Sequence, residues 1–283
     1  MNGRLLFLGI ALALMCASSS LAHAQSVLER AKREGFIRVG FPNQVPYAYA
    51  NEKGQLTGAD AAVAKLVVEK MGIKEMDGVL TEFASLIPGL KAKRFDIVLA
   101  MFVNPTRCAQ VAFSEPIYKI GQAIVVKKDN PKNITGWDDL IGRDDVNVAI
   151  MAGAVQGTYL KKLGASDGKV SSFPDGPSAI AAVSSGRADA FAISDLPARR
   201  LVQTAGPSAG LELVANMKDP VVDGRPGRGY DAFAFRPEDE ALKAAFNTAL
   251  AEVKASPAFL AAMEPFGFTK DNLPDMRTAE LCR

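Results

Sequence analysis

The chain contains, at residues 86–97, the stretch Leu86-Ile87-Pro88-Gly89-Leu90-Lys91-Ala92-Lys93-Arg94-Phe95-Asp96-Ile97. In it a helical segment is followed by a basic turn, an aspartate and the start of an apolar strand. The same order returns at residues 180–191, in Ile180-Ala181-Ala182-Val183-Ser184-Ser185-Gly186-Arg187-Ala188-Asp189-Ala190-Phe191. A unit of helix, Arg-x-Asp turn and strand that occurs twice predicts two lobes of similar α/β construction.

Around these two units, short apolar runs alternate with longer helical patterns. Strands are predicted at residues 37–41, 79–82, 96–100, 122–127, 146–151, 188–193 and 232–235. Helices are predicted at residues 60–71, 83–92, 134–140, 155–163, 178–185 and 238–255. This alternation is typical of the α/β class with mainly parallel sheets, and the length favours two cores over one.

The N-terminal segment has the pattern of a secretory signal peptide. Arg4 precedes an apolar run over residues 5–17, and a short polar stretch then leads to Ala22-His23-Ala24. A positive start, a short apolar region and an A-x-A site predict cleavage after residue 24. Cys16 raises the alternative of a lipoprotein, but Met15 is too large for the residue before a lipobox cysteine.

Composition excludes several classes of site once residues 1–24 are removed. His23 is the only histidine in the sequence, so we expect neither a serine–histidine triad nor a histidine-ligated zinc site. The 33 basic residues nearly balance the 31 acidic ones, and no basic stripe interleaved with aromatics is present. We therefore expect no nucleic-acid partner.

Two cysteines remain after the signal peptide, Cys108 and Cys282. In an oxidising compartment an even pair favours a disulfide over a thiol nucleophile or a metal site. Such a bond would tie the C-terminal tail to the first half of the chain. The alternative is two unpaired thiols.

Seven short phrases follow one another along the chain: Ile37-Arg38-Val39-Gly40, Leu56-Thr57-Gly58, Leu86-Ile87-Pro88-Gly89-Leu90, Arg94-Phe95-Asp96, Asn104-Pro105-Thr106-Arg107, Val111-Ala112-Phe113-Ser114-Glu115-Pro116 and Gly186-Arg187-Ala188-Asp189-Ala190. In this order they resemble the family 3 extracellular solute-binding proteins, which serve ABC importers of polar amino acids and related solutes. The resemblance implies the two-lobed type II periplasmic-binding-protein fold, whose lobes are joined by two crossing strands and close over a ligand. It places the first part of lobe 1 at residues 25–119, lobe 2 at 120–230, and the return to lobe 1 with the tail at 231–283.

Four further phrases narrow the resemblance: Gly78-Val79-Leu80-Thr81-Glu82-Phe83, Arg107-Cys108-Ala109-Gln110-Val111-Ala112-Phe113-Ser114, Met151-Ala152-Gly153-Ala154-Val155 and Glu264-Pro265-Phe266-Gly267-Phe268-Thr269. They are similar to the ectoine- and hydroxyectoine-binding components of compatible-solute importers. The implied ligand is a small zwitterion, the implied partner is an ABC permease in the inner membrane, and the implied location is the periplasm. We expect a monomer without cofactor, metal or enzymatic activity.

Arg107 is the first candidate binding residue. It follows a predicted strand and the Asn104-Pro105 turn, and this places it at the carboxyl edge of a sheet, where α/β ligand sites form. A guanidinium there can hold a carboxylate through two parallel hydrogen bonds. In the family that this chain resembles, the matching arginine binds the ligand carboxylate. The alternative is a surface arginine.

Tyr47, Phe83 and Phe102 form a second set of candidates, because each lies at the junction of a strand or helix with a loop. Aromatic faces attract a delocalised or quaternary cation. In the ectoine binders that this chain resembles, matching aromatics are expected to clasp the cationic ring. The alternative is that they are ordinary core residues.

Gln44 and Asp195 concern the counter-charge to that cation. The ectoine binders place a glutamate where this chain has Gln44, and an amide carries no charge. Asp195 follows a predicted strand at the position where amino-acid binders of the family keep an aspartate for the ligand's ammonium group. Its alternative role is to cap a helix, because Asp before Leu-Pro is a good helix start.

Gly153 and Val155 open a predicted helix in lobe 2. Backbone N–H groups at a helix start favour anions, so Gly153 is expected either to add to the carboxylate site or to serve only as a turn residue. Many amino-acid binders have threonine at one or both of the next positions, where this chain has Ala154 and Val155. This favours a more apolar zwitterion.

One strand departs from the family pattern. The segment Leu99-Ala100-Met101-Phe102 lacks the usual Gly or Ser and is one residue shorter than in the ectoine binders, which predicts a shifted pocket wall.

Three other functions remain open for this sequence. They are a polar amino-acid binder, an accessory binding protein without a transport partner, and a periplasmic dehydratase on the same fold. The dehydratase would need an acid and a base, for which Glu82 and Asp195 are the candidates.

Overall fold

The structure is a computed structural model that describes residues 26–283. The expected signal peptide, residues 1–24, lies outside the described residues. Within them, the strands are β1 (Phe36–Phe41), β2 (Tyr49–Ala50), β3 (Leu56–Thr57), β4 (Glu75–Leu80), β5 (Ile97–Phe102), β6 (Ala112–Phe113), β7 (Tyr118–Ile120), β8 (Gln122–Lys127), β9 (Val148–Met151), β10 (Val170–Phe173), β11 (Ala190–Ser194), β12 (Leu211–Leu213), β13 (Val221–Val222), β14 (Arg225–Pro226) and β15 (Gly229–Phe235).

The α-helices of the same range are α1 (Val27–Glu34), α2 (Ala59–Lys70), α3 (Leu86–Lys91), α4 (Pro105–Cys108), α5 (Trp137–Gly142), α6 (Val155–Lys162), α7 (Gly176–Ser185), α8 (Asp195–Ala205), α9 (Glu240–Lys254), α10 (Ala258–Met263) and α11 (Thr278–Leu281). Short 3₁₀ helices occur at Phe83–Ser85, Asp167–Lys169, Pro207–Ala209, Glu264–Phe266 and Lys270–Asn272. None of the helices in residues 26–283 has the length and apolar character that a membrane span requires.

Lobe 1 is built on a sheet in the order β4-β1-β5-β15-β6, with β7 also paired to β15. The pairs β1–β4 and β1–β5 are parallel, whereas β15 runs antiparallel to its neighbours. Every residue of β5 and β15 is buried, as expected of strands covered on both faces. Helix α9 packs on this sheet through Phe246, whose ring centroid lies 4.9 Å from that of Phe233.

Lobe 2 is built on a five-stranded sheet in the order β10-β9-β11-β8-β12. The strands β9, β10 and β11 pair in parallel, and β8 is antiparallel to both β11 and β12. The α/β class with two sheet-containing lobes is therefore confirmed. The chain passes from the first sheet to the second between Ile120 and Gln122, and it returns between Leu213 and Gly229. We propose these two crossings as the lobe boundaries.

The repeated unit forms the same local structure in both lobes. In lobe 1, the Asp96 N–H donates to the Arg38 carbonyl at 2.9 Å, and the Asp96 carboxylate accepts from the Arg38 N–H at 3.3 Å. In lobe 2, the Asp189 N–H donates to the Asn147 carbonyl at 2.8 Å, and its carboxylate accepts from the Asn147 N–H at 2.8 Å. Each aspartate thus fixes the neighbouring parallel strand to its own.

Candidate ligand-binding site

A narrow cavity of about 20 Å³ lies between the two lobes, and we call it the inner cavity. The loops after β1 and β4 and the end of β5 contribute from lobe 1, while the ends of β9 and β11 and the start of α6 contribute from lobe 2. The residues that line it are Gln44, Tyr47, Phe83, Ala100, Phe102, Arg107, Met151, Ala154, Val155, Gln156, Ala192, Ile193 and Ser194. Six of the eight predicted binding residues are among them.

Arg107 is the only charged side chain in this lining. The Asn104 side chain accepts a hydrogen bond from the Arg107 N–H at 2.8 Å, and Pro105 provides the first helical residue, so α4 begins at a fixed point. The Arg107 Nη1 donates to the Phe102 carbonyl at 2.6 Å and Nη2 to the Gly153 carbonyl at 3.0 Å. These two bonds leave further N–H groups of the guanidinium for a ligand.

The burial of Arg107 is not balanced by a carboxylate in direct contact with the guanidinium. The residue is 6% exposed, and it forms no ion pair within residues 26–283. Burial lowers the pKa of Arg107 to about 10, so the guanidinium remains charged at neutral pH. A buried cation without a counter-ion is unfavourable, and a ligand carboxylate would correct this.

The aromatic residues Tyr47, Phe83 and Phe102 all line the inner cavity, and all three are less than 10% exposed. The ring centroids of Tyr47 and Phe102 lie 6.0 Å apart at an interplanar angle of 66°. The Arg107 Cζ lies 5.3 Å from the Phe83 ring centroid. The rings therefore stand beside the guanidinium in one apolar enclosure.

Gln44 lines the inner cavity and also a second, larger cavity of about 410 Å³, which we call the outer cavity. Phe83, Met151 and Ile193 are shared in the same way, so the two cavities meet along this wall. Glu82 belongs to the lining of the outer cavity only. No carboxylate lines the inner cavity within the part of the chain that the structure describes.

Asp195 lies at the start of α8, outside the inner cavity. It is the first residue of α8, it is not part of either lining, and its carboxylate accepts from Arg199 Nε at 2.8 Å one turn along the helix. The preceding residue, Ser194, takes both the cavity position and the N-cap position. Asp195 is thus engaged on the surface of α8, one residue beyond the strand end that lines the cavity.

Gly153 and Val155 have different roles. Val155 lines the inner cavity and is 3% exposed. Gly153 does not line it and has φ +76°, and a Cβ at this position would lie 3.2 Å from the Ala84 Cα of lobe 1. The Gly153 carbonyl accepts a hydrogen bond from Arg107 in this structure.

Sequence reasoning missed two polar residues of the lining, Ser194 and Gln156. The Tyr47 hydroxyl and the Ser194 hydroxyl are 3.1 Å apart, in a contact between the lobes. Gln156 Nε2 donates to Gln122 Oε1 at 2.7 Å, and the Gln122 amide donates to the Gly227 carbonyl at 2.9 Å. This chain of bonds joins the cavity to both crossing segments. The only sequence signal for this chain of hydrogen bonds was a glutamine, Gln156, in the first turn of a predicted helix.

The expected disulfide between Cys108 and Cys282 is present, and the two Cα atoms are 5.7 Å apart. Both cysteines pack against the lobe 1 core. Since Cys108 is the neighbour of Arg107 in α4, the bond holds the C-terminal tail against the helix that carries the cavity's cation.

The strand before Arg107 contains a bulge. Ala232 pairs with Met101 and Ala234 with Val98, so three steps along β5 oppose two along β15. Ala100 has φ +59° at this point and lines the inner cavity. Phe102 remains in the lining despite the expected shift of the pocket wall. No cluster of three or more potential metal ligands occurs in residues 26–283.

The sequence and the fold of this chain both match a known family of proteins. Residues 37–269 match the sequence model of the family described as bacterial extracellular solute-binding proteins, family 3. The chain belongs to this family, and it is a solute-binding protein with the type II periplasmic-binding-protein fold.

Individual relatives are similar over nearly their whole length. A probable amino-acid ABC transporter periplasmic-binding protein, y4tE of Sinorhizobium fredii (strain NBRC 101917 / NGR234), is 37% identical over 286 residues, covering 99% of this chain and 93% of that protein. The lysine/arginine/ornithine-binding periplasmic protein of Escherichia coli (strain K12) is 27% identical, covering 87% and 90%. The crystal structure of EhuB in complex with hydroxyectoine has a TM-score of 0.83 and 31% identity, covering 92% and 99%.

Proposed function

We propose that this protein binds one small zwitterion in the inner cavity and delivers it to an ABC permease from the periplasm. The carboxylate of the ligand pairs with Arg107, and its cation lies among the rings of Tyr47, Phe83 and Phe102. The candidate ligands are ectoine and hydroxyectoine. The observation that carries the proposal is Arg107 itself, a buried guanidinium with free N–H groups, no ion pair within the described residues, and three aromatic rings beside it.

The chemistry of the inner cavity's lining supports a compact zwitterion. Ala154 and Val155 present no hydroxyl groups, and the polar groups of the lining are Gln44, Gln156 and Ser194 besides Arg107 and Tyr47. The likeness to EhuB, solved with hydroxyectoine, points the same way.

A polar amino acid is the second candidate, because relatives in this family carry amino-acid names. An α-ammonium group needs several hydrogen-bond acceptors, and a carboxylate is the strongest of them. The engagement of Asp195 with Arg199 leaves only neutral oxygens for this purpose in the inner cavity. We therefore favour a delocalised or ring cation, which aromatic faces hold without a direct acceptor.

A dehydratase is not supported by the placement of its candidate acid and base. Glu82 lines the outer cavity, and Asp195 lines neither cavity. An acid and a base must both reach the same reacting group. Binding without chemistry accounts for the arrangement of the inner cavity.

Two contacts between the lobes suggest how binding is coupled to closure. The Arg107–Gly153 and Tyr47–Ser194 hydrogen bonds both cross the cleft beside the inner cavity. A ligand that pairs with Arg107 would stabilise this closed form, which a permease can then distinguish from an open one.

The test is calorimetric titration of the mature protein with hydroxyectoine, ectoine, proline, glycine betaine, arginine and lysine. We expect one compatible solute to bind and Arg107→Ala to lose at least about 2 kcal/mol of binding free energy, as for a buried charge pair with one partner removed. Arg187→Ala is the matched control, because this exposed arginine lies in lobe 2 away from both cavities. Binding of none of these solutes, or an equal loss in both variants, would contradict the proposal.

A further inference from the structure

Behind the inner cavity, three side chains from adjacent strands form a row. Asp231 of β15 is the direct partner of Phe102 in β5 on one side and of Tyr118 in β7 on the other. Directly paired residues of antiparallel strands project to the same face of a sheet. The Tyr47 ring centroid lies 6.0 Å from that of Phe102 and 5.4 Å from that of Tyr118. Asp231 therefore lies under the Tyr47 ring, between two other aromatic residues.

A second acid, Asp60, meets Asp231 at this point. Its Oδ2 accepts from the Ala100 N–H at 2.7 Å and its Oδ1 from the Tyr118 hydroxyl at 2.9 Å. Both aspartates are 0% exposed, and their carboxyl groups are within hydrogen-bonding reach of each other. Within residues 26–283 no N–H or O–H group donates to the Asp231 oxygens with regular hydrogen-bond geometry, although the nearby Tyr118 hydroxyl favours their charged form.

Two adjacent buried carboxyl groups cannot both be ionised, so the pair holds one proton. Asp60 already accepts two hydrogen bonds as a carboxylate, and the proton therefore belongs on Asp231, whose O–H donates to Asp60. Burial, and next to it the charge of Asp60, raises the pKa of Asp231 well above its usual range. Burial also raises the pKa of Asp60, but the hydrogen bonds that Asp60 accepts from the Ala100 N–H and the Tyr118 hydroxyl favour its charged form, so these contacts favour one negative charge on the pair.

The lining of the inner cavity provides no counter-charge for the cation of the ligand, and the negative charge of the two aspartates lies behind that lining. Arg107 is the only formal charge of the lining; the Asp231 carboxyl acts on it through space, and the ligand carboxylate would pair with it directly. Gln44 is neutral and Asp195 is paired with Arg199, so neither provides a charge for the ligand's cation. In a dry interior a charge acts over a longer distance than in water, because it is screened less.

We propose that Asp60 and Asp231 together place one negative charge behind the aromatic clasp, and that this charge selects a zwitterion over an equally large carboxylate without a cation. The proposal rests on the function proposed above and concerns its specificity. The two acids act through space, across the rings of Tyr47 and Phe102, and do not touch the ligand.

Two variants separate the charge from the hydrogen bonds. Asp231→Asn keeps the Asp60 carboxylate and replaces the O–H donor with an amide N–H donor, so it retains the negative charge. Asp60→Asn with Asp231→Asn removes the charge. The probes are hydroxyectoine and cyclohexanecarboxylate, which is an anion with a six-membered ring and no cation.

The measured quantity is the ratio of the two affinities. We expect wild type and Asp231→Asn to prefer hydroxyectoine by ratios within about threefold of each other, and the double variant to lose about tenfold or more of that preference, as expected for a charge in a weakly screened interior. Cyclohexanecarboxylate binding confirms that the double variant is folded. A preference unchanged in the double variant would overturn the proposal while leaving the proposed function intact. No preference in wild type would overturn both.

Infrared spectroscopy provides a measurement that needs no ligand and no double variant. A protonated carboxylic acid has a C=O stretching band distinct from that of a carboxylate. We expect this band in the wild-type protein at neutral pH and its loss in Asp231→Asn. Absence of the band from the wild type would show that no proton is shared, and the proposal would fail on that ground alone.

Discussion

The Nη2 group of Arg107 donates to the carbonyl oxygen of Gly153 at 3.0 Å, and the two residues belong to different lobes. The candidate ligand anchor is thus also a contact that closes the cleft. Gly153 can approach lobe 1 because it has no side chain and has φ +76°.

Gly153→Ala should therefore weaken ligand binding. The Cβ would lie 3.2 Å from the Ala84 Cα, and an alanine at positive φ costs about 1–2 kcal/mol. Gly164→Ala is the control, because Gly164 has φ +95° but no neighbour within 4 Å. Thermal unfolding should show a loss of stability in both, and calorimetry a loss of affinity only in Gly153→Ala. Equal affinities in the two variants would contradict a role for Gly153 in closure.

Tyr47→Phe should reduce affinity while retaining the aromatic face. It removes the hydroxyl that contacts Ser194 Oγ at 3.1 Å across the cleft, a bond worth about 0.5–1.5 kcal/mol. Ser194→Ala and the double variant complete a double-mutant cycle. If the bond stabilises the closed form, the double variant should be little worse than either single variant. Strict additivity would argue that the two hydroxyl groups act independently.

Replacement of Cys108 and Cys282 by serine should lower the free energy of unfolding by about 2–5 kcal/mol, because the bond closes a long loop in the unfolded chain. The sequence separation of the two cysteines is 174 residues. Urea denaturation with and without a reducing agent measures the effect. The double serine variant, which has no disulfide, should be insensitive to the reducing agent. A wild-type protein that is equally insensitive would contradict the expectation.

The two repeated aspartates should differ in their contribution to stability. Asp96 is 1% exposed and receives the buried Arg236 guanidinium at 3.2 Å, so Asp96→Asn should cost about 3–5 kcal/mol. Asp189→Asn keeps the shape at a half-buried position and should cost about 1 kcal/mol. Chemical denaturation compares them directly. Similar losses would show that the shared backbone hydrogen bonds, not the arginine, dominate.

Sequence patterns predicted the central elements of both sheets, and they failed at the edges. The strand expected at residues 79–82 is β4, at Glu75–Leu80, and β10 was not predicted at all. Both are edge strands with several exposed residues, so neither shows an apolar run. The hairpin of β13 and β14 was missed for the same reason. Helix α8 was anticipated only as a possible helix start at Asp195.

The site was predictable where a residue lies at or just after the end of a strand, as Phe102 and Arg107 do. Asp195 was named as a candidate because it follows a strand, whereas the polar residue that lines the inner cavity at this point is its neighbour Ser194. Asp231 was overlooked inside an apolar strand, although a charged residue in such a strand is itself a signal. Its partner Asp60 lies in the first turn of α2, which only the folded chain brings beside it.

The disulfide has a topological consequence. Cys108 precedes the passage of the chain into lobe 2, and Cys282 follows its return, so every residue of lobe 2 lies between the two bonded positions. A protease that cuts any loop of lobe 2 therefore produces two fragments that remain one molecule. Such a nicked protein should migrate as an intact chain on a non-reducing gel and separate only after reduction. In a compartment rich in proteases, one covalent link thus protects the integrity of the whole binding unit.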